Sequence, residues 1–430
     1  MEPRGIQVDF KEALRVWLKI GCLGFGGPAG QIALMHRILV DEKKWVEEQR
    51  YLHALNFCML LPGPEAQKLA TYVGWLLHGV RGGLAAGILF VLPGALVMLG
   101  VSLLYVLGKG IPVVDGALFG IKAAVLVIVV EALLRIGRRA LKTRLLVGLA
   151  AAAFIGIFFL DLSFPLIVAC AAAIGYYVTG GQSAAAATAA VPGRWRAFAR
   201  ATLLGLGLWF APVALVVTTL GPAHVLFDIA AFFSKLAVVS FGGAYALLAY
   251  MAQEAVEGYR WMSAPEMVDG LGLAETLPGP LIKVTQFVGF LAAYRDPLPF
   301  SPVAAGVLGS ALTTWVTFAL PMLLIFALAP FVEQLRSNQR LSGALSCVTA
   351  AVVGVILNLT VWFALHVLFA RVDEAHAGPL RAYVPDPATL DWKAAVLALL
   401  AAVLMLRLHR GLVETVAVMA LLGILVRFLL

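Results

Sequence analysis

Charge is scarce in this chain. Asp, Glu, Lys and Arg make up 13% of its 430 residues, about half the share usual in a water-soluble domain. With 62% hydrophobic residues and a mean hydropathy of +0.94, a soluble globule is excluded. Cysteine is nearly absent too: Cys22, Cys58, Cys170 and Cys347 stand alone, with no CxxC pair. That excludes a disulfide framework or thiolate metal cluster and predicts four small core residues. The seven histidines form no HExxH, and neither a GxSxG elbow nor a Walker loop occurs. Enzymatic chemistry, a metal, a cofactor and ATP-driven transport by this chain alone are therefore not expected. No short apolar core with a small-residue cleavage site opens the chain, so no cleaved signal is predicted. The period-two alternation of barrel strands is missing as well.

What is present is a series of apolar runs of roughly 20 residues, each long enough to cross about 30 Å of hydrocarbon. The fold class predicted is an all-α polytopic membrane protein. Its 42 glycines and 21 prolines point to bent or broken helices, which membranes tolerate where the freed backbone is buried in protein or faces a polar cavity. Through residues 1–20 and on to Gly21, Phe10, Ala13, Leu14, Trp17, Leu18 and Gly21 share one helical face, and Lys11, Arg15 and Lys19 another. This spacing predicts an interfacial amphipathic helix. The net charge of +8 fits basic cytoplasmic loops and calls for no nucleic acid.

The chain repeats itself. Phe25-Gly26-Gly27 recurs as Phe241-Gly242-Gly243, and Pro62-Gly63-Pro64 as Pro278-Gly279-Pro280, both at one fixed offset. Lys19, Trp45 and Leu55 match Lys235, Trp261 and Leu271 at the same offset, and one residue is lost after the second Pro-Gly-Pro. The expected domains are an N-terminal repeat over 1–180, a linker with one extra span over 181–222, and a C-terminal repeat over 223–430. Basic loops set the orientation. Residues 135–144 hold Arg135, Arg138, Arg139, Lys142 and Arg144, whereas the equivalent, longer 371–393 holds three basic residues. The halves are therefore expected to be inverted, with about 11 to 13 membrane segments, the N-terminus cytoplasmic and the C-terminus periplasmic. Over residues 20–79, full crossings and re-entrant hairpins fit equally well.

Inverted repeats with broken helices suit secondary transporters, whose substrates bind where half-helices meet near the membrane midplane. Pro62 and Pro64 end one helix and allow another to start, and a helix start is an anion site. The candidate substrate-binding residues are Phe25, Gly26, Gly27, Pro62, Gly63, Pro64, Glu65, Lys68, Phe241, Gly242, Gly243, Pro278, Gly279, Pro280 and Lys283. Charge inside a span is costly and usually functional, which marks Lys68, Lys283, Lys122 and Glu131. Alternatives remain: Lys68 and Lys283 could pair with Glu65 or Glu275, Lys19 could snorkel, and Glu65 could cap a helix or carry a proton. Trp45 and Trp261 read as interfacial anchors.

The stretches "GCLGFGGPAGQIALMHRILVDEKKWV", "NFCMLLPGPEAQKLATYVGWLLHG" and "LFVLPGALV", with "SFGGAYALL", "GLAETLPGPLIKVTQFVGF" and "FALPML" in the second half, resemble the chromate ion transporter family over most of both halves. The resemblance implies export of chromate from a bacterial cytoplasm across the inner membrane, driven by the electrochemical gradient, and chromate resistance. It implies sulfate, a tetrahedral dianion of similar shape, as competitor. The family's Phe-Gly-Gly and Pro-Gly-Pro signatures map onto the breaks named above; a lysine at 68 or 283 is not part of them. Chromate, the lipid bilayer and a second copy of the chain are the expected partners. The rival functions are a transporter or channel for sulfate or another oxyanion, and a membrane-embedded metal-dependent reductase.

Overall fold

The computed structural model describes residues 8–178, 194–241, 244–331, 339–378 and 380–429. Residues 181–193 of the expected 181–222 linker segment and the candidates Gly242 and Gly243 lie outside these residues.

Helices account for most of the described residues. The first half runs α1 (Phe10–Leu23), α2 (Gly27–His36), α3 (Glu48–Met59), α4 (Glu65–Gly108), α5 (Pro112–Ala140), α6 (Arg144–Phe158) and α7 (Phe164–Val178). The extra span is α8 (Arg194–Leu220). The second half holds α9 (Val225–Val238), α10 (Ala244–Gln253), α11 (Ala264–Thr276), α12 (Val284–Arg295), α13 (Pro302–Leu328) and α14 (Gln339–Leu368). A hairpin of β1 (Val372–Ala377) and β2 (Leu380–Pro385) follows, then α15 (Trp392–Ala402) and α16 (Leu412–Leu429). α4, α5, α8, α13, α14 and α16 each contain a stretch long and apolar enough to cross a membrane. The 12 residues of α3 and of α12 span only about 18 Å at 1.5 Å per residue, so neither crosses by itself.

The repeat is visible in local geometry. α2 ends in a π-helical turn, Arg37–Glu42, and α10 in another, Glu254–Gly258. After each, a non-glycine residue takes the left-handed conformation: Lys44 at φ 53° and Arg260 at φ 54°. The next amide, of Trp45 or Trp261, then reaches back six residues to the carbonyl of Leu39 or Ala255, at 2.8 and 2.9 Å. This is a helix-ending 6→1 bond closed by a left-handed residue, and it falls at matched positions of the two halves. Asp161 and His409 close α6 and α15 in the same way.

The chain forms two compact units, each drawing on both halves: residues 1–99, 182–240 and 277–339, and residues 100–181, 241–276 and 340–430. In the first, α4 breaks at His78 (φ −138°, ψ 25°) and Gly79 (φ 61°) into legs of 65–77 and 80–108. α8 packs on α13, where Trp209 Nε1 donates to the Val316 carbonyl at 2.9 Å and Trp315 Nε1 to that of Leu208 at 3.2 Å. α1 buries Ala13, Val16, Trp17, Ile20 and Gly21, while Phe10 and Leu18 stay exposed. The amphipathic helix is thus present, with its buried stripe turned from the expected one by the inclusion of Val16 and Ile20. Trp261 is buried, stacking on Tyr259 at 4.3 Å, which corrects its reading as an anchor presented to the interface.

In the second unit, Gly116 and Gly120 of α5 form a Gly-x-x-x-Gly face against Gly423 of α16. A Cβ on Gly120 would stand 1.8 Å from the Met419 carbonyl oxygen. Small residues let membrane helices approach closely where no hydrophobic drive favours association. Cys58 and Cys347 are buried as expected, but Cys22 and Cys170 are exposed.

Candidate functional site

Each Pro-Gly-Pro corner is a helix stop followed by a helix start. α3 ends at Met59 and α4 begins at Glu65; in the second half the chain resumes at Leu281 as a 3-10 turn leading into α12. The central glycines have φ of +105° (Gly63) and +92° (Gly279), a region that L side chains rarely occupy. Gly26 and Gly27 are also left-handed, at 84° and 67°, and turn the chain from α1 into α2.

The first unit brings these breaks together reciprocally. The Gly279 amide donates to the Gly24 carbonyl at 2.9 Å, and the Gly63 amide to the Ser240 carbonyl at 3.0 Å. Gly24 and Ser240 occupy matched positions of the repeat, as do Gly63 and Gly279, and Gly24 and Ser240 each directly precede a Phe-Gly-Gly. The two bonds are therefore one bond written twice, from each half to the other, as a local twofold relation requires. Gln31, 1% exposed, reinforces one copy: its Nε2 donates to Gly279 O at 2.7 Å and to Gly24 O at 3.0 Å. The counterpart position is Leu247, so this clamp exists once.

The corners also rest against proline-bearing helices. A Cβ on Gly63 would meet Pro321 Cγ of α13 at 2.4 Å, and one on Gly279 would meet Gly94 Cα, beside Pro93 in α4, at 3.3 Å. A proline inside a helix removes one N–H from the ladder. Two glutamine amides donate to carbonyls near those prolines, though not to Thr317 and Leu89, the carbonyls four residues back that lose a partner: Gln67 Nε2 donates to Phe318 O at 3.0 Å, and Gln286 Nε2 to Ala95 O at 2.8 Å. Gln31 Oε1, Gln67 Oε1 and Gln286 Oε1 are buried and accept no hydrogen bond among the described residues.

Lys68 and Lys283 are each 1% exposed. The Lys68 ammonium donates to the Leu61 carbonyl; Lys283 Nζ donates to Leu277 O at 3.0 Å and Gly279 O at 3.3 Å. Leu61 and Leu277 are again a matched pair of the repeat, just beyond the C-termini of α3 and α11. Those ends carry unsatisfied carbonyls and partial negative charge, which a cation relieves. The lysine that follows each break thus caps the chain before it, and among the described residues Lys68 forms no ion pair with Glu65. Glu65 is half-buried at the first position of α4, where a carboxylate complements the helix N-terminus. Its counterpart on the far side of the second break is apolar, so the second corner has no such acid.

Of the sequence candidates, Gly63 and Lys68 belong to the first corner and Gly279 and Lys283 to the second, with Pro62, Pro64 and Glu65 beside the one, Pro278 and Pro280 beside the other, and Phe25, Gly26 and Gly27 following Gly24. Phe241 belongs to the second unit. Gln31, Gln67 and Gln286 were missed. Their signal was present all the same: an amide side chain in an apolar run, within one or two turns of a break, needs a buried partner.

In the second unit, Lys122 of α5 pairs with Asp269 of α11 at 2.9 Å, on the wall of a cavity of about 600 Å³. Asp161, Glu257, Arg381 and Tyr383 form a separate cluster at the β hairpin.

The chromate transporter family model matches residues 11–176 and 227–426. The chain is similar to a chromate transport protein of Pseudomonas aeruginosa, 35% identical over 360 residues, covering 82% of this chain and 81% of that protein. It is similar to one of Cupriavidus metallidurans at 26% identity, covering 82% of each, and to an uncharacterized transporter of Methanocaldococcus jannaschii at 25%, covering 81% and 83%. No solved structure matches. Matched in both halves, this polytopic membrane protein belongs to the chromate transporter family.

Proposed function

We propose that this chain is a secondary active transporter that exports chromate across the bacterial inner membrane and so confers resistance to it. The observation that carries the reading is the reciprocal pair of bonds, Gly279 to Gly24 and Gly63 to Ser240, which ties the Pro-Gly-Pro corner of each half to the residue that precedes the Phe-Gly-Gly motif in the sequence of the other. Broken helices meeting about a twofold axis are the substrate-site design of inverted-repeat transporters.

The amides of Gly63 and Gly279 are engaged by carbonyls in this conformation. The anion then draws on the first N–H groups of the helix opening at Glu65 and of the turn opening at Leu281, which have no partner inside their own helices. Lys68 and Lys283 contribute positive charge beside them. Alternating access breaks and remakes the two glycine bonds, both of which lie inside the first unit. A dianion leaving an inside-negative cell gains about 2 × 2.3 kcal/mol per 100 mV, so the membrane potential alone drives export. The N-terminus is cytoplasmic and the C-terminus periplasmic in this reading, and sulfate competes because it shares chromate's shape and charge.

The test is uptake of labelled chromate and sulfate into inside-out vesicles, with membrane potential and pH gradient collapsed separately. Uphill chromate uptake that disappears with the potential is expected. Current that only follows the anion's own gradient makes the protein a channel, and sulfate uptake unaffected by chromate makes it a sulfate carrier.

A further inference from the structure

Lys122 stands inside an apolar helix, where a lone ammonium is costly, and the corner site does not use it. Its partner Asp269 is 6% exposed. One carboxylate oxygen, Oδ1, lies 2.9 Å from Lys122 Nζ, and the other, Oδ2, accepts from the Tyr105 hydroxyl at 2.9 Å. All three line the cavity of about 600 Å³, whose α5 wall is Asp115, Leu118, Phe119 and Lys122. Lys122 is within reach of that space, its side chain 24% exposed.

The remaining charge around the cavity is unevenly matched. Lys109, just after α4, pairs with Glu266 of α11 at 2.8 Å, and Glu266 also accepts from Ser263. Asp391 caps the start of α15 through the amides of Lys393 and Ala394. Asp115 of α5 faces the backbone amide of Gly110. Lys393 of α15 and Arg427 of α16 line the same cavity, and neither forms an ion pair among the described residues. Two cations without carboxylates, a cationic Lys122 and a phenol donor thus converge on a space large enough for a tetrahedral ion and several waters. Among the described residues, the anion paired with Lys122 is Asp269.

We propose that this cavity is an oxyanion subsite in which Lys122 and Tyr105 hold the ion and Asp269 is the resident anion it displaces, with a proton taken up by Asp269 as the ion binds. This rests on the reading of the chain as an oxyanion transporter. A dianion and a carboxylate cannot share Lys122 in a low-dielectric wall without strong repulsion. A proton from the cavity water removes that repulsion by neutralising Asp269, which then turns from acceptor on Lys122 to a neutral acid. When the ion leaves, the proton returns to the water and the carboxylate closes back onto Lys122. No buried cation is left bare at either stage.

The experiment uses full-length protein in lipid nanodiscs, with sulfate and chromate as probes. Affinity comes from calorimetry in two buffers of different ionisation enthalpy, which also gives proton uptake. Wild type is expected to take up about one proton per anion at neutral pH and to bind more tightly as pH falls. Asp269→Asn is expected to bind at least as tightly as wild type with no proton uptake. Lys122→Met is expected to lose at least about tenfold in affinity. Tyr105→Phe, which removes a hydrogen bond to the carboxylate, is expected to shift the proton-uptake profile to higher pH and serves if Asp269→Asn does not fold. Unchanged proton uptake in Asp269→Asn, an unmoved profile in Tyr105→Phe, wild-type affinity in Lys122→Met, or no anion binding at this cavity each overturns the subsite. Failure of the wild type to move chromate in vesicles overturns the transport reading itself. Normal vesicle transport with unaltered proton uptake in Asp269→Asn overturns only the subsite.

Discussion

Gly63 lies so close to Pro321 that a Cβ on it would stand 2.4 Å from the proline Cγ, whereas the nearest atom to a Cβ on Gly279 would be Gly94 Cα at 3.3 Å. The two corners share a left-handed backbone and a reciprocal hydrogen bond, but the first is packed against a rigid ring and the second against a glycine. A side chain at either position meets backbone strain of about 1–3 kcal/mol, and at Gly63 it meets overpacking as well. Gly63→Ala is therefore expected to lower the thermal midpoint and chromate flux more than Gly279→Ala. Bulkier Gly63→Leu and Gly279→Leu are both expected to abolish flux. Vesicle transport at matched expression, with thermal unfolding of purified protein, checks the order.

Gln31 offers a gentler probe of the same contact. Its amide donates to both partners of the Gly279–Gly24 bond, and Leu247 occupies the equivalent place in the other copy. Gln31→Leu removes two hydrogen bonds to buried carbonyls but also an unpartnered buried oxygen. The expected net loss is about 1–3 kcal/mol, read by thermal unfolding. Faster amide exchange at Gly279 with no change at Gly63 is the specific signature.

The lysines test whether helix-end capping and anion attraction act together. Replacing Lys68 or Lys283 by Gln keeps a donor of shorter reach and removes the charge. If that charge faces the substrate, kcat/KM for chromate falls by at least about tenfold, equivalent to about 1.4 kcal/mol, beyond any loss of stability. A lower unfolding temperature with unchanged kcat/KM would assign both lysines to capping alone.

How far the sequence foretold this site can be judged from those same residues. Glycine between prolines, and the constant offset, betray the corners because turn chemistry is local. The same register matches Gly24 with Ser240 and Gly63 with Gly279 as equivalent positions, without pairing one with the other. What could not be read was the acceptor of each amide: a free N–H at a helix break looks the same in sequence whether a ligand or another chain segment receives it. Lys68 shows the same limit. Its spacing from Leu61 permits capping of the preceding helix, but only coordinates separate that from a reach toward Glu65. Lys122 was conspicuous as intramembrane charge, yet Asp269 lies in the other half of the chain, beyond any local pattern.

The β hairpin is attached through a titratable cluster. Arg381, with its side chain 4% exposed, pairs with Asp161 at 3.0 Å and Glu257 at 3.3 Å, and its amide donates to Phe159 O at 2.7 Å. Tyr383 donates to Glu257 at 3.1 Å. Burial raises the Glu257 carboxyl above its ordinary value of 4.5, and the Arg381 charge and the Tyr383 hydrogen bond only partly oppose it. A carboxyl raised in the docked state binds its proton more tightly there than when the hairpin is undocked. Docking is therefore strongest below the ordinary glutamate range and weakens as pH rises through the raised value. Exchange of the Arg381 amide, corrected for intrinsic rate, is expected to show greater protection at about pH 5 than at about pH 7.5. Glu257→Gln should flatten that dependence. Arg381→Met, which leaves Glu257 without its cation, should cost about 2–3 kcal/mol of docking and push the carboxyl higher still, so the remaining protection is lost over a higher pH range. Identical pH profiles in wild type and Glu257→Gln would show that another group controls the hairpin.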